Sequence, residues 1–160
     1  MPLIILHTEI YAPREICFDL SRSMEVHVLS MKKYNEKIIG ERKSGLIQEG
    51  EEVEFEAKHL GITQTHKGKV KDVHFPFSFV DVMVQGTFKS LHHHHSFHEK
   101  NGITLMIDTF KYESPLGILG RWADHLFLEK YMKKLIEGRN TFIKKMAESN
   151  EWKNILNYEV

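Results

Sequence analysis

Residues 88–113 read FKSLHHHHSFHEKNGITLMIDTFKYE. Asn101-Gly102 is the strongest short hairpin signal in the chain, because a two-residue turn that twists with its strands needs positive φ at both central positions, which Asn and Gly tolerate. With that pair as the loop, Lys100 opposes Ile103. Counting back then pairs Phe97 with Met106, His95 with Asp108, His93 with Phe110 and Leu91 with Tyr112. These eight side chains share one face. The other face carries His92, His94, Ser96 and His98 against Lys111, Thr109, Ile107 and Leu105, and is the wetter of the two. An aromatic inner wall with His93, His95 and Asp108 embedded in it is therefore expected.

Working towards the N-terminus, Pro76 to Val84 has Phe77, Phe79, Asp81 and Met83 at one parity and Ser78, Val80, Val82 and Val84 at the other, so both faces of that strand are apolar. Before it, Glu54, Glu56 and Lys58 alternate with Val53, Phe55, Ala57 and His59. Beyond Leu60-Gly61, Thr63, Thr65, Lys67, Lys69 and Lys71 alternate with Ile62, Gln64, His66, Gly68 and Val70. This is a hairpin with one solvated face. Placing Leu60-Gly61 in the turn pairs His59 with Ile62, Ala57 with Gln64 and Phe55 with His66, and points His59, Gln64 and His66 inward. A weak strand is expected around Lys37 to Arg42. The chain opens with the apolar strand Leu3 to Ile10, and Pro13 suits the first turn of a helix. Ile16, Cys17, Leu20, Met24, Val28 and Leu29 then recur at helical spacing, broken near Ser21-Arg22-Ser23, where Ser23 can cap a second short helix.

Towards the C-terminus, Ser114-Pro115 ends the last strand and Gly117 and Gly120 loosen the connection. From about Arg121 to Met146 the residues Trp122, Leu126, Tyr131, Leu135, Phe142 and Met146 recur near helical spacing, with Lys133, Lys134, Lys144 and Lys145 among the residues of the opposite, wet side. One long amphipathic helix is expected to dock on the sheet. The fold class is accordingly α+β: a curved seven-stranded antiparallel sheet around a long C-terminal helix, with two short helices after the first strand, as one domain over residues 1–160.

Composition excludes several classes. Lys plus Arg and Asp plus Glu are both 22 and interspersed, so the charge footprint of a nucleic-acid binder is missing. The one cysteine, Cys17, lies beside Ile16 and Phe18 and reads as a buried inert thiol, which suits a reducing compartment. The apolar run Leu3 to Leu6 is too short for a signal-peptide core, and no later stretch reaches bilayer-spanning length. A cytoplasmic protein without a transmembrane segment is expected.

The order of elements resembles the helix-grip arrangement of the START-like (SRPBCC) superfamily, which includes pollen allergens, lipid-transfer START domains and polyketide cyclases. In detail the chain is similar to bacterial ligand-binding SRPBCC proteins through Ile10-Tyr11-Ala12-Pro13 with Phe18 and Leu20, Gly50-Glu51-Glu52-Val53, His59-Leu60-Gly61 and Phe79-Val80-Asp81. Gly86-Thr87-Phe88, His93-x-His95-x-Phe97, Thr104 with Asp108 and Ser114-Pro115-Leu116-Gly117 carry the rest of the likeness. The resemblance implies a cavity between sheet and helix for a small apolar or amphipathic molecule that is lipid-like, aromatic or polyketide-like. It implies no cofactor, and a homodimer stays open.

The candidate ligand-binding residues are His59, Gln64, His66, Phe79, Asp81, His93, His95, Phe97, Met106, Asp108, Phe110 and Tyr112. His93, His95, Asp108 and Asp81 have the residue types of a zinc or iron site. Residues two apart on a strand sit about 6 to 7 Å apart, however, and a His beside an Asp is more often a hydrogen-bonded pair, so no metal is expected. The same groups suit general acid–base work on a carbonyl, as a cyclase or dehydratase would need. The leading expectation is a binding module in which they orient the ligand, with the enzyme as the alternative.

Overall fold

The computed structural model describes residues 2–114 and 127–157. The strands are β1 (Leu3–Ile10), β2 (Lys37–Ile39), β3 (Glu52–His59), β4 (Ile62–His74), β5 (Ser78–Gln85), β6 (Ser90–Lys100) and β7 (Ile103–Glu113). They form one seven-stranded antiparallel sheet in the order β1-β7-β6-β5-β4-β3-β2. Helices α1 (Arg14–Ser21) and α2 (Met24–Ser30) follow β1, and α3 (Glu129–Glu148) closes the domain. This is the helix-grip fold.

Local chemistry accounts for the main boundaries. Pro13, at φ −58°, leads into α1, and the Ser23 hydroxyl accepts the Val26 N–H at the start of α2. Asn101 and Gly102 sit at φ 55° and 75°, and Leu60 and Gly61 at 52° and 81°, so both hairpins turn through two left-handed residues. The registers follow: His95 opposes Asp108 and Phe97 opposes Met106, while Phe55 opposes His66. Register shifts between Lys67 and Gly68 and between Lys71 and His74 bend β4 against β5, which helps the sheet to curve. The strand expected over Lys37 to Arg42 is shorter, ending at Ile39.

Helix α3 packs on β1, α1 and α2. Its buried side carries Met132, Ile136, Arg139, Asn140, Ile143, Met146 and Ala147. The expected face was Leu126, Leu135, Phe142 and Met146; Met146 lies on it, whereas Leu135 and Phe142 are half-buried flanks and Trp122 and Leu126 fall outside the described residues. Two apolar stripes run side by side on this helix, and the sheet takes the one that includes two polar residues. The wet side holds Lys133, Lys134 and Lys145 as expected, but Lys144 is half-buried, donating from Nζ to the Glu9 carbonyl oxygen. Among the described residues no helix is long and apolar enough to cross a membrane.

The larger core cluster joins Phe18, Leu20, Phe79, Phe97, Met106 and Ile143, and the smaller joins Ile4, Phe110, Tyr112, Met132 and Ile136. Cys17 is fully buried, and burial pushes its thiol up to about 12, as an inert core cysteine requires. Along β6, His95 and His93 lie between Phe97 of the larger cluster and Leu91 beside the smaller.

Candidate functional site

Between the concave side of the sheet and α3 lies a cavity of about 360 Å³. Val53, Phe55 and Ala57 of β3, Val70 of β4 and Met132, Leu135 and Ile136 of α3 give it apolar walls. Polar groups are set into them: His59 bridges to the Tyr131 hydroxyl at 2.9 Å, and Gln64 accepts from Thr87 at 2.8 Å. Burial holds His66 and His59 below the ordinary histidine range, so both are neutral linings at pH 7.

Of the twelve expected residues, His59, Gln64, His66, Asp81, His93 and Phe110 line this cavity. Phe79, His95, Phe97, Met106, Asp108 and Tyr112 point to the same side of the sheet but do not reach its wall. Helix α1 covers part of that face: the Phe18 ring meets Phe79 and Phe97 edge-on at 5.3 and 5.4 Å. Met106 lies against the Ser21 hydroxyl, and Tyr112 packs on Phe88 and Phe110. The alternation of a strand gives the face but not what covers it.

The histidines and acids form one chain of contacts. His93 Nε2 donates to Asp108 Oδ1 at 2.8 Å, and His95 Nε2 donates to Asp81 Oδ2 at 3.0 Å. His95 Nδ1 is 2.9 Å from Asp108 Oδ1, an ion-pair distance off the line of a well-directed hydrogen bond. Asn140 of α3 donates to Asp108 Oδ2 at 2.6 Å and so ties the helix to the cluster. His95 stacks on Phe79 at 4.4 Å on one side and lies 3.8 Å from the His93 ring on the other. Only Asp81 and His93 carry this network to the cavity wall.

Electrostatics separates the two histidines. Burial lowers both, but two flanking carboxylates outweigh it at His95 and raise it above the ordinary value, so His95 is the more basic of the two. His93 is pushed down to about 4, first by burial and then by the charge on His95, against the pull of Asp108. Burial alone would raise Asp108 and Asp81. Hydrogen bonds from the histidines and the histidine charge outweigh it, holding Asp81 below and Asp108 well below the usual carboxylate range. A neutral His93 keeps its proton on Nε2 for Asp108 and leaves Nδ1 as an acceptor. Donor atoms of Asp81, His93 and His95 lie within 4.8 Å of one another, so these three residues could hold a metal ion; Asp108 would then orient both rings.

Sequence reasoning missed several wall and network residues, among them two polar pairs. His27 and Glu36 line the cavity bonded to each other at 2.5 Å, with His27 stacked on Phe55 at 4.2 Å. Asn140 and Arg139 come from the buried side of α3. Arg139 stands three residues after Ile136 and four before Ile143, and that placement on an apolar stripe was the available signal.

The sequence matches no family model and no curated protein sequence. Solved structures are similar in fold. A Thermus thermophilus protein, TTHA0849, is 16% identical with a TM-score of 0.70 over 91% of this chain and 97% of its own. Ginseng major latex-like protein 151 from Panax ginseng is 14% identical with a TM-score of 0.67 over 92% and 98%. Protein Ms6760 from Mycobacterium smegmatis is 15% identical with a TM-score of 0.65 over 90% and 89%.

Proposed function

We propose that this chain binds a small, largely apolar molecule in the space between α3 and the sheet. The observation that carries the reading is a cavity of about 360 Å³ with apolar walls and a few convergent polar groups. Small-molecule sites have this character, at roughly 300 to 1,000 Å³ with sparse polar groups that fix orientation. A core built for stability alone would close such a space, since protein interiors pack at crystal-like density. His93 and Asp81 present the polar end, and His95 and Asp108 hold them from behind.

The test is displacement of a neutral fluorescent probe, N-phenylnaphthylamine, with native mass spectrometry of the protein as purified to find a retained molecule. Leu135 is half-buried and faces the cavity, so Leu135→Trp fills space without entering the packed core. It should weaken probe binding by at least about tenfold, roughly 1.4 kcal/mol. Binding unchanged in a folded variant would remove the cavity as the site.

A second reading is favoured by one observation: His93 is neutral, lines the cavity and is backed by Asp108. That arrangement suits proton transfer to or from a carbonyl-bearing ligand. An enzyme of cyclase or dehydratase type would lose about two to four orders of magnitude in turnover in His93→Gln while still binding its substrate.

A further inference from the structure

We infer that the molecule this cavity accepts is an amphipathic monocarboxylate, with its head group held by Arg139 and its apolar body against α3, β3 and β4. The inference rests on the ligand-binding reading above. Arg139 is 6% exposed and on the cavity wall. Its Nη2 donates to the Ser21 carbonyl oxygen, at the end of α1, while Nε and Nη1 have no partner among the described residues. A buried guanidinium with unused donors is costly unless an acid or another acceptor meets it.

The acids nearby are already engaged. Asp81 is bonded to His95, and Asp108 takes His93, His95 and Asn140. Glu36, on another part of the wall, is bonded to His27. The second arginine of the lining, Arg22, pairs with Asp19 at 3.0 Å. Arg139 is thus the arginine of the described lining without an acid at ion-pair distance. A carboxylate at this wall supplies the countercharge that the buried guanidinium lacks. The apolar walls ask for a hydrocarbon or aromatic body, and a single unpaired arginine matches a monoanion better than a phosphate dianion. A cationic head group would meet Arg139 as a like charge.

The experiment compares laurate with dodecanol, which share a chain and differ in the head group, each displacing N-phenylnaphthylamine from the full chain at pH 7 and low salt. Laurate should displace the probe at a concentration at least about tenfold below dodecanol. In Arg139→Met the preference should fall to within about threefold. Arg139→Gln, which keeps an amide donor for the Ser21 carbonyl but no charge, should do the same, and a cooperative melt qualifies either variant as folded. Equal displacement by laurate and dodecanol in the unmodified protein would overturn the carboxylate inference and leave the ligand-binding reading standing. A preference that survives in a folded Arg139 variant would place the recognition elsewhere and overturn it as well. If the neutral probe itself does not bind, both readings fall together.

Discussion

Asp108 is the residue on which the polar cluster turns. It is 1% exposed, yet one oxygen meets two imidazoles and the other the Asn140 amide. The two histidines give opposite pH dependences. His93, held near 4 against an ordinary 6.5, resists a proton that the unfolded chain accepts, so its cost to stability grows as pH falls from about 6.5 towards 4. His95 is raised, so its contribution is fully present below 6.5 and is lost as pH rises through its folded value. Asp108 contributes above its ordinary 3.8, and that part is lost only as pH falls through its much lower folded value. His93→Gln removes the first effect and keeps an amide donor for Asp108. The denaturation midpoint of the variant should fall less steeply than that of the parent between pH 6.5 and 4, and parallel limbs would mean that His93 is not held neutral.

The docking of α3 sets the element scale. The helix offers two neighbouring apolar stripes, and its contacts with β1, α1 and α2 bury the one through Met132, Ile136, Ile143 and Met146. Ile143 is fully buried in the larger cluster, whereas Leu135 faces the cavity. Ile143→Ala should therefore cost about 2–5 kcal/mol in urea unfolding. Leu135→Ala should cost clearly less, because it enlarges a space that is already empty rather than opening a new one. Equal losses would mean that the cavity is as tightly packed as the core. The same reasoning explains why the helix face was misread from sequence: periodicity reports that apolar stripes exist, and docking chooses between them.

For the molecule as a whole, the consequence is a linkage between filling the cavity and stability. The curved sheet surrounds α3 with packed clusters along β6 and β7 and leaves space towards β3 and β4. Side chains lining a void forgo the dispersion contacts they would make in a filled core. A molecule that fits should return them, and at a hundredfold excess over its dissociation constant should add about 2.7 kcal/mol to unfolding. Laurate titrated into the protein should raise the melting temperature continuously with concentration, and should raise it little in Leu135→Trp. A melting temperature indifferent to every ligand that displaces the probe would place binding outside the folded cavity.

The sequence by itself determined what depends on neighbours along the chain. Asn101-Gly102 and Leu60-Gly61 fix their turns by local backbone preference, and strand alternation then assigns His93, His95 and Asp108 to one face and His92 and His94 to the other. Pro13 and Ser23 mark the helix starts for equally local reasons. Tertiary structure alone decided which inward residues meet empty space and which meet α1: Phe79, Phe97 and Met106 have the same parity as His93, yet the helix packs over them and leaves His93 at the wall. It also decided that Arg139 lies indoors with two idle donors: its place on an apolar stripe is legible in the sequence, but which stripe docks is not. Turn type and strand parity follow from bonds a few residues long, whereas burial follows from contacts between segments far apart in the chain, such as Arg139 to Ser21 at a separation of 118, which sequence pattern does not specify.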